Sequence, residues 1–248
     1  MEVAAAIAVA VAGLLAGLIN GVVGGASLLT FPVLVATGLA PVSAAVTNTV
    51  GIGAANIFAL IPHRHSMRWA FSAWRRGAMW TAIGAAFGAF LLLALPARVF
   101  ELVVPVFVFF ATLAMLRRLP EHQPDGDGHR HTNARLGLAG IYSGYFGSGM
   151  GIIAMAILAN DGRLDMRGVS VVKNYVIAIA NTVATIYFIP SGETAWIHAG
   201  LLFGSSAIGG YLSGRMLHRL NQTILRWTVV VVGFASTIYL SLRLLSVG

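Results

Sequence analysis

The chain has 248 residues, of which 58% are hydrophobic and 10% are charged, and its formal net charge is +8. Soluble domains carry about 25% charged residues, so this composition excludes a soluble globular protein and predicts an all-α polytopic membrane protein. The arginines are dispersed in short segments between apolar runs, which indicates control of membrane orientation rather than nucleic-acid binding. The chain has no cysteine, which excludes disulfides and thiolate chemistry.

The first apolar run, residues 3–39, is longer than the roughly 20 residues that one membrane crossing needs. Closely spaced glycines interrupt it in residues 17–32, GLINGVVGGASLLTFP. Non-helical backbone within a membrane persists only where protein buries it or where it lines a cavity. We therefore interpret residues 3–38 as a helical hairpin whose tip is a glycine break.

Three predicted transmembrane helices follow this hairpin, and prolines or arginines delimit each of them. Their predicted bounds are 42–61, 77–95 and 98–116. Together with the hairpin they form a first repeat, residues 1–117. Residues 118–134 are the longest polar segment, and we interpret them as a loop between two halves of the protein.

The second half, residues 135–248, repeats the order of the first. Residues 140–156, GIYSGYFGSGMGIIAMA, contain another glycine break. A nearly constant shift along the chain brings Gly25 onto Gly149 and Asn48 onto Asn174, which indicates an internal duplication. The predicted elements of this repeat are a hairpin at 136–159 and helices at 169–189, 195–217 and 224–245.

The distribution of basic residues predicts the topology. The basic loops are 63–76, 117–135, 163–173 and 215–226. Such loops favour the cytoplasmic side of the cell membrane. All four can lie there only if each glycine-broken segment returns to the side from which it entered. Each half is then a re-entrant hairpin plus three crossings, so the repeats are inverted and both termini lie outside. In the alternative, each break is a kink in one tilted span, and basic loops occur on both faces.

The two glycine breaks are the first candidate binding site. A short helix that starts at such a break presents unpaired N–H groups and a partial positive charge, which suit an anion. In the alternative interpretation the glycines only allow close helix packing. The candidate substrate-binding residues of the breaks are Gly24, Gly25, Ser27, Gly147, Ser148 and Gly149.

Polar residues inside apolar helices are the second candidate group. Such residues usually face the interior of a helix bundle or a water path, and hydrogen bonds between helices are the alternative. Lys173, the single lysine, either faces a cavity as a positive charge or lies at the inner membrane interface. The substrate-binding candidates are Asn48, Thr49, Lys173 and Asn174, and the candidates for secondary polar lining are Thr47, Asn56 and Asn181.

The acidic residues all fall at or beyond the ends of the predicted helices. A cation transporter normally needs a carboxylate within the membrane, so the sequence favours a neutral or anionic solute, with no metal and no cofactor. The usual motifs of zinc peptidases and serine hydrolases are absent, and we expect no enzyme. The contrasting alternative is an intramembrane hydrolase that uses Ser148 with His198.

Two glycine-rich hairpins, each leading to a span with polar residues, resemble the TauE/SafE sulfite-exporter family. The first motif of that family is similar to G-x-G-G-G followed by a proline. Here residues 23–27, VGGAS, and Pro32 match it in part, and residues 147–151, GSGMG, form the second copy. The resemblance implies transport of sulfite, sulfoacetate or other organosulfonates. We therefore predict a secondary transporter of a small anion, with a passive anion channel as the alternative within transport.

Overall fold

The computed structural model describes residues 2–22, 24–116, 131–147, 149–216 and 222–247. These residues form helices joined by short turns, with no β-strand among them, which confirms the predicted all-α fold class. In chain order, the α-helices of this part of the chain are α1 (Val3–Val22), α2 (Ser27–Ala36), α3 (Pro41–Leu60), α4 (Arg64–Ala73), α5 (Arg75–Ala94), α6 (Ala97–Leu116), α7 (Thr132–Phe146), α8 (Met150–Asn160), α9 (Met166–Phe188), α10 (Trp196–Arg215) and α11 (Gln222–Val247).

Within the described ranges, six helices are long and apolar enough to cross a membrane: α1, α3, α5, α6, α9 and α11. This confirms a polytopic membrane protein. The predicted span at 195–217 corresponds to α10, which has 20 residues but is not one of the six, because its glycines and serines lower its hydropathy. Helices α2 and α8 are shorter apolar helices, and each follows a glycine break.

Helix α4 was not predicted, since the basic segment 63–76 reads as a loop from sequence alone. The structure forms a 10-residue helix there, with Trp69 and Phe71 exposed. A short helix that combines basic and aromatic residues is typical of a segment that lies in a membrane interface. The arginines indicate which face of the membrane the segment occupies, but they do not determine its local secondary structure.

Glycine contacts show that α1, α3 and α10 run in the same direction. Along α1, Gly13 lies beside Ser205 of α10, and Gly21 lies beside Ser213. The residue numbers therefore increase in the same direction along both helices, so α1 and α10 are parallel. Gly210 and Gly214 of α10 likewise meet Ala55 and Ala59 of α3. Because α1 and α3 are parallel and adjacent in sequence, the intervening α2 returns along the bundle toward the level at which α1 began.

Helices α5 and α7 are also parallel, since Gly84 lies beside Ile141 and Gly88 beside Tyr145. Helix α9 begins where α1 ends, because Ser170 Oγ donates a hydrogen bond to the carbonyl oxygen of Gly21. We call this the basic end of the bundle: α1, α3 and α10 end there, and α5, α7 and α9 begin there. The arginines near it include Arg75, Arg76, Arg135, Arg163, Arg215 and Arg226.

The helices of the two halves pair in equivalent ways. The long arm α1 packs against α10, and the corresponding arm α7 packs against α5, so each arm lies on a helix of the other half. Helix α3 packs against α9, its counterpart, and α6 packs against α11. The main helix pairs of one half thus have counterparts in the other half.

Each short helix buries large apolar side chains among the neighbouring helices. Phe31 and Leu34 of α2 are fully buried beside Phe100 of α6. Leu158 of α8 is fully buried beside Val172 of α9. Burial of these side chains holds both short helices in place. The amino-terminal ends of these helices adjoin the glycine breaks.

Candidate functional site

The two glycine breaks touch each other through their backbones. A methyl group built on Gly24 would lie 2.7 Å from Gly151 Cα, and one built on Gly151 would lie 2.6 Å from Gly24 Cα. Real Cβ atoms do not approach other atoms so closely, so neither position has room for a side chain. The tips of the two hairpins, from different halves of the chain, therefore meet at one point.

The backbone at each break adopts a left-handed conformation that favours glycine. The φ angles are 82° at Gly24, 81° at Gly25 and 84° at Gly149. Helix α2 begins at Ser27, two residues after Gly25, and α8 begins at Met150, directly after Gly149. The first amides of a helix have no partner within it and carry its positive dipole end. Two such ends converge where Gly24 meets Gly151, and the three glycines are buried.

Asn48 and Thr49 of α3 connect the two breaks. Thr30 Oγ1, in the first turn of α2, donates a hydrogen bond of 2.5 Å to Asn48 Oδ1. The Nδ2 group of Asn48 is buried and has no partner among the described residues. Thr49 Oγ1 donates to the Ala45 carbonyl and would lie 2.6 Å from a methyl group on Gly147. Asn48 thus contacts the helix that follows the first break, and Thr49 contacts Gly147 at the second break.

Lys173 caps the helix that leads into the first break. Its side chain is fully buried, and its Nζ donates to the carbonyl oxygens of Asn20, at 2.8 Å, and Gly21, at 3.4 Å. These carbonyls belong to the last turn of α1, where the helix dipole favours a cation. The Lys173 side chain therefore does not reach the surface of the protein. It binds across the two halves, beside the break.

Comparison with known proteins identifies the family of the chain. The family model described as Sulfite exporter TauE/SafE matches residues 9–240, which include both breaks. The chain belongs to the TauE/SafE family. A probable membrane transporter protein of Haemophilus influenzae is 25% identical over 228 residues, covering 86% of each chain. The probable membrane transporter protein YfcA of Escherichia coli K12 is 25% identical over 214 residues, covering 84% of this chain and 79% of the relative. No solved structure matches the chain.

This TauE/SafE chain is thus a multi-pass protein of a membrane transporter family, and the remaining predicted residues can be located on its helices. Ser27 and Asn174 are buried, and Asn174 Oδ1 has no partner within the described ranges. Ser27 starts α2 directly beyond the first break, and Asn174 follows Lys173 on α9. Ser148 lies outside the described residues.

The residues predicted as secondary lining have separate positions. Thr47 Oγ1 accepts a hydrogen bond from the Ala195 amide at 2.9 Å, so it fixes the turn before α10. A methyl group on Gly53 would lie 3.5 Å from Asn181 Cβ, which locates Asn181 where α9 faces α3. Asn56 Oδ1 accepts a hydrogen bond of 3.0 Å from Asn20 Nδ2. Asn20 is absent from the predicted site, although an amide beside glycines in an apolar run is a signal that could have identified it.

The sequence also did not predict an aromatic cluster around the second break of the TauE/SafE chain. Phe146, the last residue of α7, has its ring centroid 5.7 Å from that of Phe31 and 5.7 Å from that of Phe107. The ring centroid of Phe100, in the first turns of α6, lies 5.6 Å from that of Tyr145. The cluster consists of Phe31, Phe100, Phe107, Tyr142, Tyr145 and Phe146. Helix α6 begins away from the basic end, so the cluster covers the opposite side of the breaks.

Proposed function

We propose that the protein is a secondary transporter that moves a small anion, a sulfur oxyanion or organosulfonate, across the cell membrane. The observation that carries this proposal is the contact between Gly24 and Gly151. It brings the amino-terminal ends of α2 and α8 to one buried point. Both helix starts direct the positive end of a helix dipole toward this point, which suits an anion.

The charges and donors around the breaks support an anion rather than a cation. Lys173 supplies a buried ammonium group, and Asn48 supplies a buried amide NH2 without a partner in the described residues. Asp161 is the only fully buried carboxylate in the described part of the chain. It is engaged by Thr132 and by Arg163, so it leaves no free negative charge to bind a cation.

The site residues that follow from this proposal are those of the two breaks and their neighbours. Substrate contacts are assigned to amides and side chains at both tips, with Lys173 as the positive charge. The proposed substrate-binding residues are Gly24, Gly25, Ser27, Asn48, Thr49, Gly147, Ser148, Gly149, Lys173 and Asn174. Thr47, Asn56 and Asn181 are proposed as more distant polar lining.

The proposed architecture is two inverted repeats, residues 1–117 and 135–248. Its support is that α1 and α3 run toward the basic end while their counterparts α7 and α9 run away from it. Helices α2 and α8 reverse these directions, as the arms of re-entrant hairpins would. The excess of arginines assigns the basic end to the cytoplasm and both termini to the outside. Cysteine substitutions at positions 2 and 247, probed with a membrane-impermeant thiol reagent in intact cells, test this orientation.

The substrate class is proposed from the family and from the site. The family model carries the description sulfite exporter, and sulfite and sulfonates each present three oxygens that share the negative charge on a compact head group. Such a head group matches donors that converge from two helix starts. Acetate is the control substrate, because its carboxylate is also anionic but is planar and presents only two oxygens.

Purified protein in proteoliposomes tests the proposal. Uptake of labelled sulfite and sulfoacetate is expected to saturate with concentration and to show counter-flow, with much weaker uptake of acetate. Asn48→Leu, Asn174→Leu and Lys173→Met are each expected to lower the uptake. Flux that neither saturates nor shows counter-flow would establish a passive channel instead. Normal uptake by all three variants would refute the site assignment.

A further inference from the structure

Asn20 occupies the last turn of α1, directly before the first glycine break, and it joins three helices. Its side-chain Nδ2 donates a hydrogen bond of 3.0 Å to Asn56 Oδ1 of α3. Its backbone carbonyl oxygen accepts a hydrogen bond of 2.8 Å from Lys173 Nζ of α9. Only 6% of Asn20 is exposed. A single residue therefore fixes both Asn56 and Lys173 relative to the break.

The contact with Asn20 determines which end of the Asn56 amide is engaged. Asn56 is fully buried, its oxygen accepts from Asn20, and its Nδ2 has no partner among the described residues. A buried N–H group without a partner costs about 1–3 kcal/mol, so this group favours a ligand that accepts hydrogen bonds. Lys173 Nζ carries three N–H bonds and makes hydrogen bonds to two carbonyl oxygens.

We infer that Asn20 is a positioning residue for anion transport, which holds Asn56 with its amide NH2 available to an oxyanion on the basic side of the glycine breaks. Asn56 is then a direct contact of the anion and not only distant lining. The contact suits a fully deprotonated oxyanion, because its oxygens accept hydrogen bonds and it has no O–H group to donate one. This inference rests on the anion transport proposed above and adds a second contact to it.

Asn56 lies two helical turns beyond Asn48 along α3, or about 12 Å at 1.5 Å per residue. That separation is too large for one compact anion to bind both amides at once. The two amides therefore contact the anion at successive positions. Asn48 serves the position where the glycine breaks meet, and Asn56 serves a position nearer the basic end.

The test is a double-mutant cycle on the full chain in proteoliposomes, with labelled sulfite and labelled sulfoacetate as probes. Asn20→Leu and Asn56→Leu are each expected to raise KM about tenfold, because each removes an oriented donor, with a much smaller change in the maximal rate. The double variant is expected to show no further increase, because Asn20 acts through Asn56. Asn160→Leu, an exposed site at the end of α8, is the matched control and leaves KM unchanged.

Asn20→Asp provides a variant of nearly the same volume for the case in which Asn20→Leu does not purify as a folded protein. A carboxylate only accepts hydrogen bonds, so it turns the Asn56 amide around and occupies its NH2 group. The expected result is again a raised KM. When Asn56→Leu is already present, Asn20→Asp is expected to raise KM less, because the effect that acts through Asn56 is then absent.

Several outcomes overturn the inference, and they are distinguishable from failure of the transport proposal. Wild-type protein without saturable flux of either anion refutes the transport proposal and the inference together. Normal wild-type flux with an unchanged KM in the folded Asn20 variants refutes the inference alone. Additive effects in the double variant, or a loss of thermal stability without a change in KM, show that Asn20 has a purely structural role.

Discussion

The two glycine breaks have the same backbone arrangement but different surroundings. At the first break, Lys173 and Ser170 donate hydrogen bonds to carbonyl oxygens at the end of α1. At the second break, α7 ends at Phe146 within an aromatic cluster, and its last turns contain no equivalent hydrogen bond from a cation in the described ranges. The chain therefore surrounds one tip with polar groups and the other with aromatic rings.

This difference gives the two sides of the proposed site unequal chemistry. Lys173, Asn20 and Asn56 lie toward the basic end, whereas the aromatic cluster lies toward the opposite end, where α6 begins. On the proposed function, an anion that approaches from the basic end would meet buried donors before the breaks, and one that approaches from the other end would meet aromatic rings first.

Substitution of the glycines that touch is expected to have the largest effect. Gly151→Ala introduces a methyl group 2.6 Å from Gly24 Cα, and Gly24→Ala introduces one 2.7 Å from Gly151 Cα. Separation of the tips by even about 1 Å can cost roughly 100-fold in activity, so initial rates of anion uptake should fall by about that factor in both variants. Uptake by proteoliposomes measures the effect.

Two matched controls isolate the clash from other effects of the added methyl group. Gly38 has a φ angle of 96° but no atom within 4 Å of its built Cβ, so Gly38→Ala shares only the backbone strain of Gly24→Ala, about 1–2 kcal/mol of stability. Gly200 lies in α10, and its built Cβ also has nothing within 4 Å, so it is the helical control for Gly151. Equal losses in the controls and the variants would show that contact between the breaks is unimportant.

The next largest effect is expected at Lys173. Hydrogen bonds to charged groups contribute about 1.5–3 kcal/mol, so Lys173→Met should lower kcat/KM for anion uptake by about 10- to 100-fold. Ser170 is the matched control, because its hydroxyl donates to the same Gly21 oxygen at 3.3 Å without a charge. Ser170→Ala should change uptake by about twofold or less. An equal loss in both variants would indicate that capping of α1, and not the charge, is what transport requires.

The sequence was sufficient to predict the helical membrane fold and the positions of both glycine breaks, because glycine clusters and apolar runs are local signals. It left the position of Lys173 open, since its partners are backbone oxygens of Asn20 and Gly21, which no side-chain pattern reveals. Asn20 was overlooked although its amide lies beside glycines in an apolar run, because its partner Asn56 is 36 residues away in the sequence. The aromatic cluster joins residues of α2, α6 and α7 that are far apart in sequence, and such long-range packing has no periodic signature.

A rescue experiment examines the second break alone. Gly147→Ala introduces a methyl group 2.6 Å from Thr49 Oγ1, whereas Thr49 Cβ is 3.9 Å away. Thr49→Ala therefore removes the clash and leaves only the strain of a left-handed alanine. We expect Gly147→Ala to lower the thermal unfolding temperature, and the double variant to recover about 1–2 kcal/mol of that loss. Additive losses would show that Thr49 and Gly147 do not contact each other as described.

The smallest effect is expected at Ser143, one turn before Gly147 in α7. Its hydroxyl is buried and has no partner among the described residues, while the corresponding position before the first break is the apolar Ile19. If the hydroxyl served only packing, Ser143→Ala would stabilise the protein by up to about 1 kcal/mol, since a buried polar group without a partner is removed, and uptake would not change.

We expect Ser143→Ala to raise KM for sulfite about threefold, as loss of one neutral hydrogen bond of about 0.7 kcal/mol would, without any loss of thermal stability. A raised KM together with unchanged or increased stability would identify Ser143 as a donor to the anion at the second break. That result would sharpen the contrast between the breaks, because a neutral hydroxyl would then serve at the aromatic tip the role that the Lys173 ammonium serves at the polar tip. An unchanged KM would exclude the Ser143 hydroxyl as a donor to the anion. It would leave that role at the second break to backbone amides and to the Tyr142 hydroxyl, which would lie 3.3 Å from a methyl group on Gly149.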